Sequence, residues 1–402
     1  MMWEYVTLDK LGIVSRGKSK HRPRNDAALF GGKYPFIQTA DVKAAPFYIT
    51  EYNETYNDKG LEQSKLWRKG TLCITIAANI ADTAILDIDA CFPDSVMGFI
   101  PYDGVSDVRF VKYAFDMLQR DMKQISQGAA QDNLSWQKLS TIRFPNPPIE
   151  IQRKIADYLV TYEDLIENNQ KQIKLLEEAA QRLYKEWFID LHFPGYEDTP
   201  IVDGVPEGWC ISNIVSLCSR INAGGTPSRS KKNYWNNPTI KWFKTGELQD
   251  CWLIDSDEMI SQEGLDGSSA KIFPKNTILM AIYASPTLGR LGILTSDAAC
   301  NQAALCLLAD ETKVSWQWLY GKLYELREDF NVVAKGAGQQ NISADTVKKK
   351  EVMVPSKGLM DDFSKLVAPM YDKRLLLQEQ IIYLSQARDR LLSKLMSGEI
   401  EV

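Results

Sequence analysis

The residues of this chain best suited to chemistry are cations set in loops. Arg16, Lys18, Lys20, Arg22 and Arg24 alternate with Gly17, Ser19, His21 and Pro23, and residues 224–235 hold Thr226, Ser228, Arg229, Lys231 and Lys232 behind Gly224 and Gly225. Glycine, serine and proline among cations predict exposed loops, whose side chains and backbone N–H groups can meet phosphate oxygens. One basic loop is ordinarily a solvated surface; two at matching positions point to DNA. Arg290 is counted with these cations. Gln38 with Thr39, Lys244 with Thr245, and the set Gln131, Asn133, Gln339, Gln340 and Asn341 supply side chains that can read base edges, since Gln and Asn pair bidentately with adenine. Turn formation is the ordinary alternative for any one of them.

These residues must be positioned twice over, because the sequence repeats itself at an offset of about 206 in a length of 402. Tyr34-Pro35-Phe36-Ile37-Gln38-Thr39-Ala40-Asp41-Val42 returns in pattern as Ile240-Lys241-Trp242-Phe243-Lys244-Thr245-Gly246-Glu247-Leu248, and Trp3 answers Trp209. Gln127-Gly128-Ala129-Ala130-Gln131-Asp132-Asn133-Leu134 matches Lys335-Gly336-Ala337-Gly338-Gln339-Gln340-Asn341-Ile342. Markers that keep their order and spacing indicate a duplicated unit. A duplicated recognition unit suits a ligand with two half-sites.

Each repeat closes in a long amphipathic segment. Ile155, Leu159, Tyr162, Ile166, Asn169, Ile173, Leu176, Ala180, Leu183 and Trp187 step alternately by four and three residues, the 3.5-residue repeat of a coiled-coil seam. A helix lying on a globular core would carry a wider apolar stripe. The same series shifted by 208 is Phe363, Val367, Met370, Arg374, Leu377, Ile381, Leu384, Arg388, Leu391 and Leu395, which makes the second helix the natural partner of the first. Paired antiparallel, the helices would send the two globular units to opposite ends. Pro369 is expected to kink or delay the second helix, and Gly398 to stop it. Before each helix the sequence reads as mixed: strands within residues 70–76 and 276–282, helices within 107–122 and 315–329. Breakers between His192 and Pro206 mark a linker.

Composition is that of an ordinary globular protein, 45% hydrophobic and 25% charged. The apolar runs are strand-sized, far below the ~20 residues of a membrane span, and residues 1–5 do not read as a signal peptide. A cytoplasmic, non-membrane protein is expected. Seven scattered cysteines without a CxxC pair, and two histidines, argue against a zinc site and a disulfide framework. Cys91 and Cys300, at nearly matching places, read as small core side chains. A net charge of −5 is awkward for a DNA binder acting alone, so any basic site must be local or completed by a partner.

Two motifs tempt an enzymatic reading. Asn146-Pro147-Pro148-Ile149 approaches the Asn-Pro-Pro-aromatic turn of amino-methyltransferases, but has Ile where a ring should stack and precedes a helix that Pro can start. Residues 330–338 could be a strand entering a glycine-rich cofactor turn, yet Ala130 replaces Gly338 in the first repeat and no βαβ context surrounds it. No GxxxxGK[ST] loop is present. A stand-alone adenine methyltransferase and a coiled-coil protein-binding scaffold remain the alternatives, separable by cofactor binding and by salt dependence of DNA binding.

With these residues in place, a resemblance emerges. Gly224-Gly225-Thr226-Pro227-Ser228, then Tyr234-Trp235 and Ile240-Lys241-Trp242, resembles the opening of a target recognition domain in type I restriction-modification specificity subunits. Leu391-Leu392-Ser393-Lys394-Leu395-Met396-Ser397-Gly398-Glu399-Ile400 resembles the ending of that family, and Arg182-Leu183-Tyr184-Lys185-Glu186-Trp187-Phe188 its central helix end. The first unit departs, with Arg16-Gly17-Lys18-Ser19 in place of Gly-Gly-Thr-Pro-Ser. The resemblance implies an α+β chain: two globular α/β target recognition domains separated by two long helices forming an antiparallel coiled coil, in a pseudo-twofold internal repeat. The expected segments are residues 1–148 and 207–356 for the domains, 149–190 and 357–402 for the spacer helices, and 191–206 for the linker.

The same resemblance implies a non-catalytic subunit reading an asymmetric bipartite target in double-stranded DNA and docking two methyltransferase subunits, with two restriction subunits as an optional addition. No cofactor is expected on this chain; S-adenosylmethionine, ATP and Mg belong to the partner subunits. The expected helix-pair interface is Ile155, Leu159, Tyr162, Ile166, Ile173, Leu176, Leu183, Leu377, Ile381, Leu384, Leu391 and Leu395.

Overall fold

A computed structural model of the chain describes residues 3–76, 82–125, 139–283, 287–336 and 341–401. It forms two compact units, the first Met1–Asn168 with Ile382–Val402, the second Asn169–Ile381.

In the first unit the strands are β1 (Tyr5–Thr7), β2 (Gly12–Arg16), β3 (Phe30–Phe36), β4 (Tyr48–Ile49), β5 (Glu54–Tyr56), β6 (Leu66–Trp67), β7 (Leu72–Thr75), β8 (Thr83–Leu86), β9 (Ala90–Cys91), β10 (Val96–Pro101) and β11 (Arg143–Pro145). They make a five-stranded sheet in the order β2-β10-β7-β8-β4, a four-stranded sheet β5-β3-β9-β6, and the pair β1-β11. Strand β7 is buried on both faces, and its alternation explains why it reads as a continuous apolar run. Leu72 and Ile74 enter a core with Phe110 and Phe115 of the helix Val108–Ile125, whereas Cys73 enters another with Trp67, Phe92 and Ala84.

The second unit continues with the hairpin β12 (Ile201–Val202) and β13 (Val205–Pro206). It then has β14 (Cys210–Asn213), β15 (Cys218–Ala223), β16 (Ile240–Phe243), β17 (Cys251–Leu253), β18 (Glu258–Ile260), β19 (Ile278–Ala281), β20 (Leu291–Leu294), β21 (Ala299–Cys300), β22 (Ala304–Ala309) and β23 (Glu351–Val354). Its five-stranded sheet runs β15-β22-β19-β20-β17, beside β18-β16-β21 and the pair β14-β23. Its five-stranded sheet repeats the order of the first unit's strand for strand, and β18-β16-β21 repeats β5-β3-β9, while β6 has no counterpart. The central strand again divides between two cores, Ile278 and Met280 in one, Leu279 and Ala281 in the other. Even the turn before it recurs: Gly70 and Asn276 both take positive φ and donate to Leu86 O and Leu294 O, at 2.8 and 2.9 Å.

Two 40-residue helices, Ile149–Phe188 and Lys357–Met396, each contribute one end to each unit. In the first unit Ile155 and Leu159 share a core with Leu392, Leu395 and Met396; in the second Tyr184, Trp187 and Phe188 pack on Phe363. Within each unit, low numbers on one helix meet high numbers on the other, so the segments run antiparallel. The helix ends are thus core elements of the units, more than separate spacers. Pro369 lies inside the second helix, which starts well before it, so the expected delay does not occur. The region read as one helix over 315–329 is two, Trp316–Glu325 and Arg327–Gly336. Residues 330–336, weighed as a strand, are therefore helical.

Candidate DNA-recognition site

In the second unit two of the expected cations, Arg229 and Lys244, converge on Glu258. Trp242 Nε1, on β16, donates to Gly225 O at 2.9 Å and Trp235 Nε1 to Ser228 O at 3.2 Å, fixing the loop of residues 224–230. Arg229 lies over the Trp235 ring, 3.7 Å from its centroid, and ion-pairs with Glu258 on β18. Lys244 reaches the same carboxylate at 3.1 Å and Asp257 at 3.7 Å. Hydrogen bonding to Arg229, then to Lys244, holds the Glu258 carboxyl below its usual range, while Glu258 raises Lys244. Lys231 donates to Tyr234 OH at 2.8 Å, and Lys232 is exposed beside it. Thr226 donates to Gln302, and the Ser228 and Ser230 hydroxyls are 2.9 Å apart. Thr245 is half-buried directly after Lys244.

The first unit's basic loop is more self-paired than the sequence suggests. Arg24 meets Asp94 at 2.7 Å, and Arg22 lies 3.9 Å from it while donating to Ser19 O and His21 O. His21 bonds Asp26 at 2.8 Å, and Asp26 is held low first by the Ala28 backbone N–H and then by His21. Arg16 and Lys20 are exposed; Lys18 is half-buried, its carbonyl taking the Ser64 hydroxyl at 2.7 Å. Loops of unengaged cations were the expectation. Acids on neighbouring strands and turns hold several of them instead, in ion pairs that stay largely solvated. Arg24 and Gln38 line one cavity of about 420 Å³ together with Phe30, Phe36 and Glu54.

Gln38 and Lys244 occupy equivalent positions, each held by contacts from corresponding residues. The backbone N–H of Gln38 donates to Asp41 Oδ2, and that of Lys244 to Glu247 Oε1, both at 2.7 Å. The second oxygen of each acid is also engaged: Asp41 Oδ1 accepts from Asn53 Nδ2 at 2.6 Å, Glu247 Oε2 from the Asp257 N–H at 3.0 Å. One residue on, the acid that begins the next strand takes the side chain, Gln38 Nε2 to Glu54 at 2.6 Å and Lys244 Nζ to Glu258 at 3.1 Å. Glu54 and Glu258 sit opposite Phe36 and Trp242 in the strand pairs β3–β5 and β16–β18. Sequence reasoning missed Glu54, Asp94 and Glu258. Their signal was present for the first and last, since Asn53-Glu54 and Asp257-Glu258 recur at an offset of 204, but acids are not sought at a phosphate site.

Gln131, Asn133, Gln339 and Gln340 lie outside the described residues; Asn341 is exposed and Arg290 is half-buried just before β20. Asn146, of the Asn-Pro-Pro-Ile motif, serves the start of the long helix: buried Gln152 donates to Asn146 Oδ1 at 3.2 Å and to Pro147 O at 2.8 Å.

On the helices, Ile155, Leu159, Ile166, Leu377 and Leu395 are buried, and Tyr162, Ile173, Leu176, Leu183, Ile381, Leu384 and Leu391 half-buried. The polar positions of the seam are paired: Asn169 donates to Gln380 at 3.2 Å, Arg374 meets Glu177 at 3.4 Å, and Arg388 meets Glu163 at 3.0 Å. Cys91 and Cys300 are fully buried. Among the described residues, no helix is long and apolar enough to cross a membrane.

Comparison with known proteins places this arrangement. The chain is 25% identical to the type I restriction enzyme MjaIX specificity subunit of Methanocaldococcus jannaschii, covering 100% of this chain and 94% of that one. It is 23% identical to the HindI specificity subunit of Haemophilus influenzae over 68% of this chain and 72% of that one. Its fold matches a crystal structure of the type I restriction-modification S subunit from M. genitalium with a TM-score of 0.58 at 16% identity, over 98% of this chain and 96% of that one. The family model described as type I restriction modification DNA specificity domain matches residues 2–178 and 206–359, one stretch in each repeat. On that match the chain belongs to the type I restriction-modification DNA specificity family.

Proposed function

We propose that each unit reads one half of a split, asymmetric sequence in double-stranded DNA, and that the two long helices, paired as an antiparallel coiled coil in a pseudo-twofold repeat, set the gap between the halves and dock two methyltransferase subunits. The observation that carries this is the recurrence of one order in the five-stranded sheet with different polar side chains beside it: exposed Arg229, Lys231 and Lys232 and half-buried Lys244 in one unit, exposed Arg16, Lys20, Arg24 and Gln38 in the other. One scaffold used twice with different tips suits two different half-sites. The net charge of −5 makes help from partner subunits in gripping DNA part of the reading. S-adenosylmethionine, ATP and Mg then reside on those partners, restriction subunits join where cleavage occurs, and the work is done in the cytoplasm.

Single-molecule methylation mapping of cells expressing this chain, with and without a neighbouring methyltransferase gene, tests the proposal. A split asymmetric motif that requires both genes is the expected result. A perfect palindrome, or methylation by this chain alone, would overturn it.

A further inference from the structure

Resting on that reading, we infer that Gln38 and Lys244 are the base-reading residues of the two units, that Gln38 reads an A·T pair and Lys244 a G·C pair, and that Glu54 and Glu258 orient them.

A side chain can discriminate bases only if its donors and acceptors are fixed before DNA arrives; a free Gln or Lys offers many geometries of similar energy. At these two positions both backbone and side chain are held. Asp41 and Glu247 pin the main-chain N–H groups, and Asn53 and the Asp257 N–H lock the pinning acids in turn. Glu54 and Glu258 then take the side chains. The contacts recur in both units while the tip they hold differs, which is the pattern of a specificity position on a fixed frame.

The tips carry the assignment. A carboxylate only accepts hydrogen bonds, so Glu54 forces the amide of Gln38 to face it with Nε2. One N–H of Nε2 and the carbonyl oxygen Oε1 are left, and these are the donor and acceptor that match adenine N7 and N6 in the major groove. Lys244, steadied by Glu258, offers only donors, which match O6 and N7 of guanine. In each unit a loop arginine stands beside the reader, Arg24 lining the same cavity as Gln38 and Arg229 sharing Glu258 with Lys244. Each arginine is placed to meet a phosphate next to the base being read. An A-reading tip in one unit and a G-reading tip in the other also supply a physical reason for an asymmetric target.

The test uses this chain assembled with its methyltransferase subunits. Competition binding against duplexes carrying every single base-pair substitution of the mapped target gives a discrimination ratio at each position. Gln38→Ala is expected to lower that ratio about tenfold at one A·T pair of one half-site, leaving the other half-site within twofold. Lys244→Ala does the same at one G·C pair of the other half-site. Glu54→Gln relaxes the same A·T pair as Gln38→Ala, because an amide partner can meet Gln38 with either end. Gln38 is exposed and its backbone contact survives truncation to Ala, so the unit folds. Should Glu54→Gln fail to assemble, the two Ala variants decide. Unchanged ratios, or a loss uniform over all sequences as for a phosphate contact, would overturn the inference. If the wild-type complex itself shows no sequence dependence, the functional reading fails; if it does and the variants match it, only this inference does.

Discussion

Arg388 donates through Nη1 to both carboxylate oxygens of Glu163, each at 3.0 Å, joining the two long helices inside the first unit. Glu163 is only 7% exposed, and desolvation pushes its carboxyl up while Arg388 pulls it back down. A buried ion pair adds little over a well-packed apolar pair, but breaking one leaves a stranded charge.

Arg388→Met should therefore cost on the order of 3–5 kcal/mol, and Glu163→Gln added to it should recover most of that. The pH dependence follows from the raised carboxyl. Its contribution is fully present below the unfolded value near 4.5 and is lost as pH rises through the folded value. Without Arg388 the folded value climbs further, so the variant's deficit should widen from pH 5 to pH 8. Urea unfolding across that range checks it; a deficit that stays constant with pH, or a double variant as unstable as the single, would show that packing and not charge is at issue.

Gly224 meets the chain so closely that a Cβ there would lie 2.3 Å from the carbonyl oxygens of Cys300 and Asn301. Backbone atoms cannot give way as a flexible side chain can. Gly224→Ala should destabilise the second unit by roughly 1–3 kcal/mol and displace the loop bearing Thr226 and Arg229. Methylation mapping should then show the half-site of the second unit weakened and the other intact. Equal damage to both half-sites would assign Gly224 to general folding alone.

Much of this was legible in the sequence for identifiable reasons. The duplication surfaced because Tyr34-Pro35-Phe36-Ile37-Gln38 and Ile240-Lys241-Trp242-Phe243-Lys244 are strand-plus-turn segments whose local geometry demands similar residues. The helices surfaced because a 3.5-residue repeat is a local signal. What stayed hidden was tertiary: that Asp94 engages Arg22 and Arg24, or that Glu258 serves two cations, depends on side chains distant in sequence. Pro369 misled because propensity was read without the packing of Val367 and Tyr371, which bury the helix on either side of it.

Glu258→Gln frees Arg229 and Lys244 from the acid they share. Both ion pairs are substantially solvated, so stability should change by less than about 1 kcal/mol. Binding to non-specific duplex should tighten at low salt, and each cation gained for phosphate should steepen the log K against log[salt] slope by about 0.9. Discrimination at the base read by Lys244 should fall at the same time. An unchanged salt slope would mean that neither freed cation gains a phosphate.

The ion pair of the first unit, Glu163 with Arg388, and that of the second, Glu177 with Arg374, are separated by the same number of residues on both helices, two heptads. On the proposed coiled-coil pairing, seven residues added to each helix between these pairs would keep the 3.5-residue repeat in phase and lengthen the helices by about 10 Å at ~1.5 Å per residue. At ~3.4 Å per base pair that is about three base pairs. The mapped motif should widen its gap by that amount with both half-sites unchanged. Four residues in one helix alone would put Arg388 and Arg374 out of register with their acids and should abolish methylation. An altered half-site in the seven-residue variant would mean that the helices themselves touch bases, because nothing else near Gln38 or Lys244 would have changed.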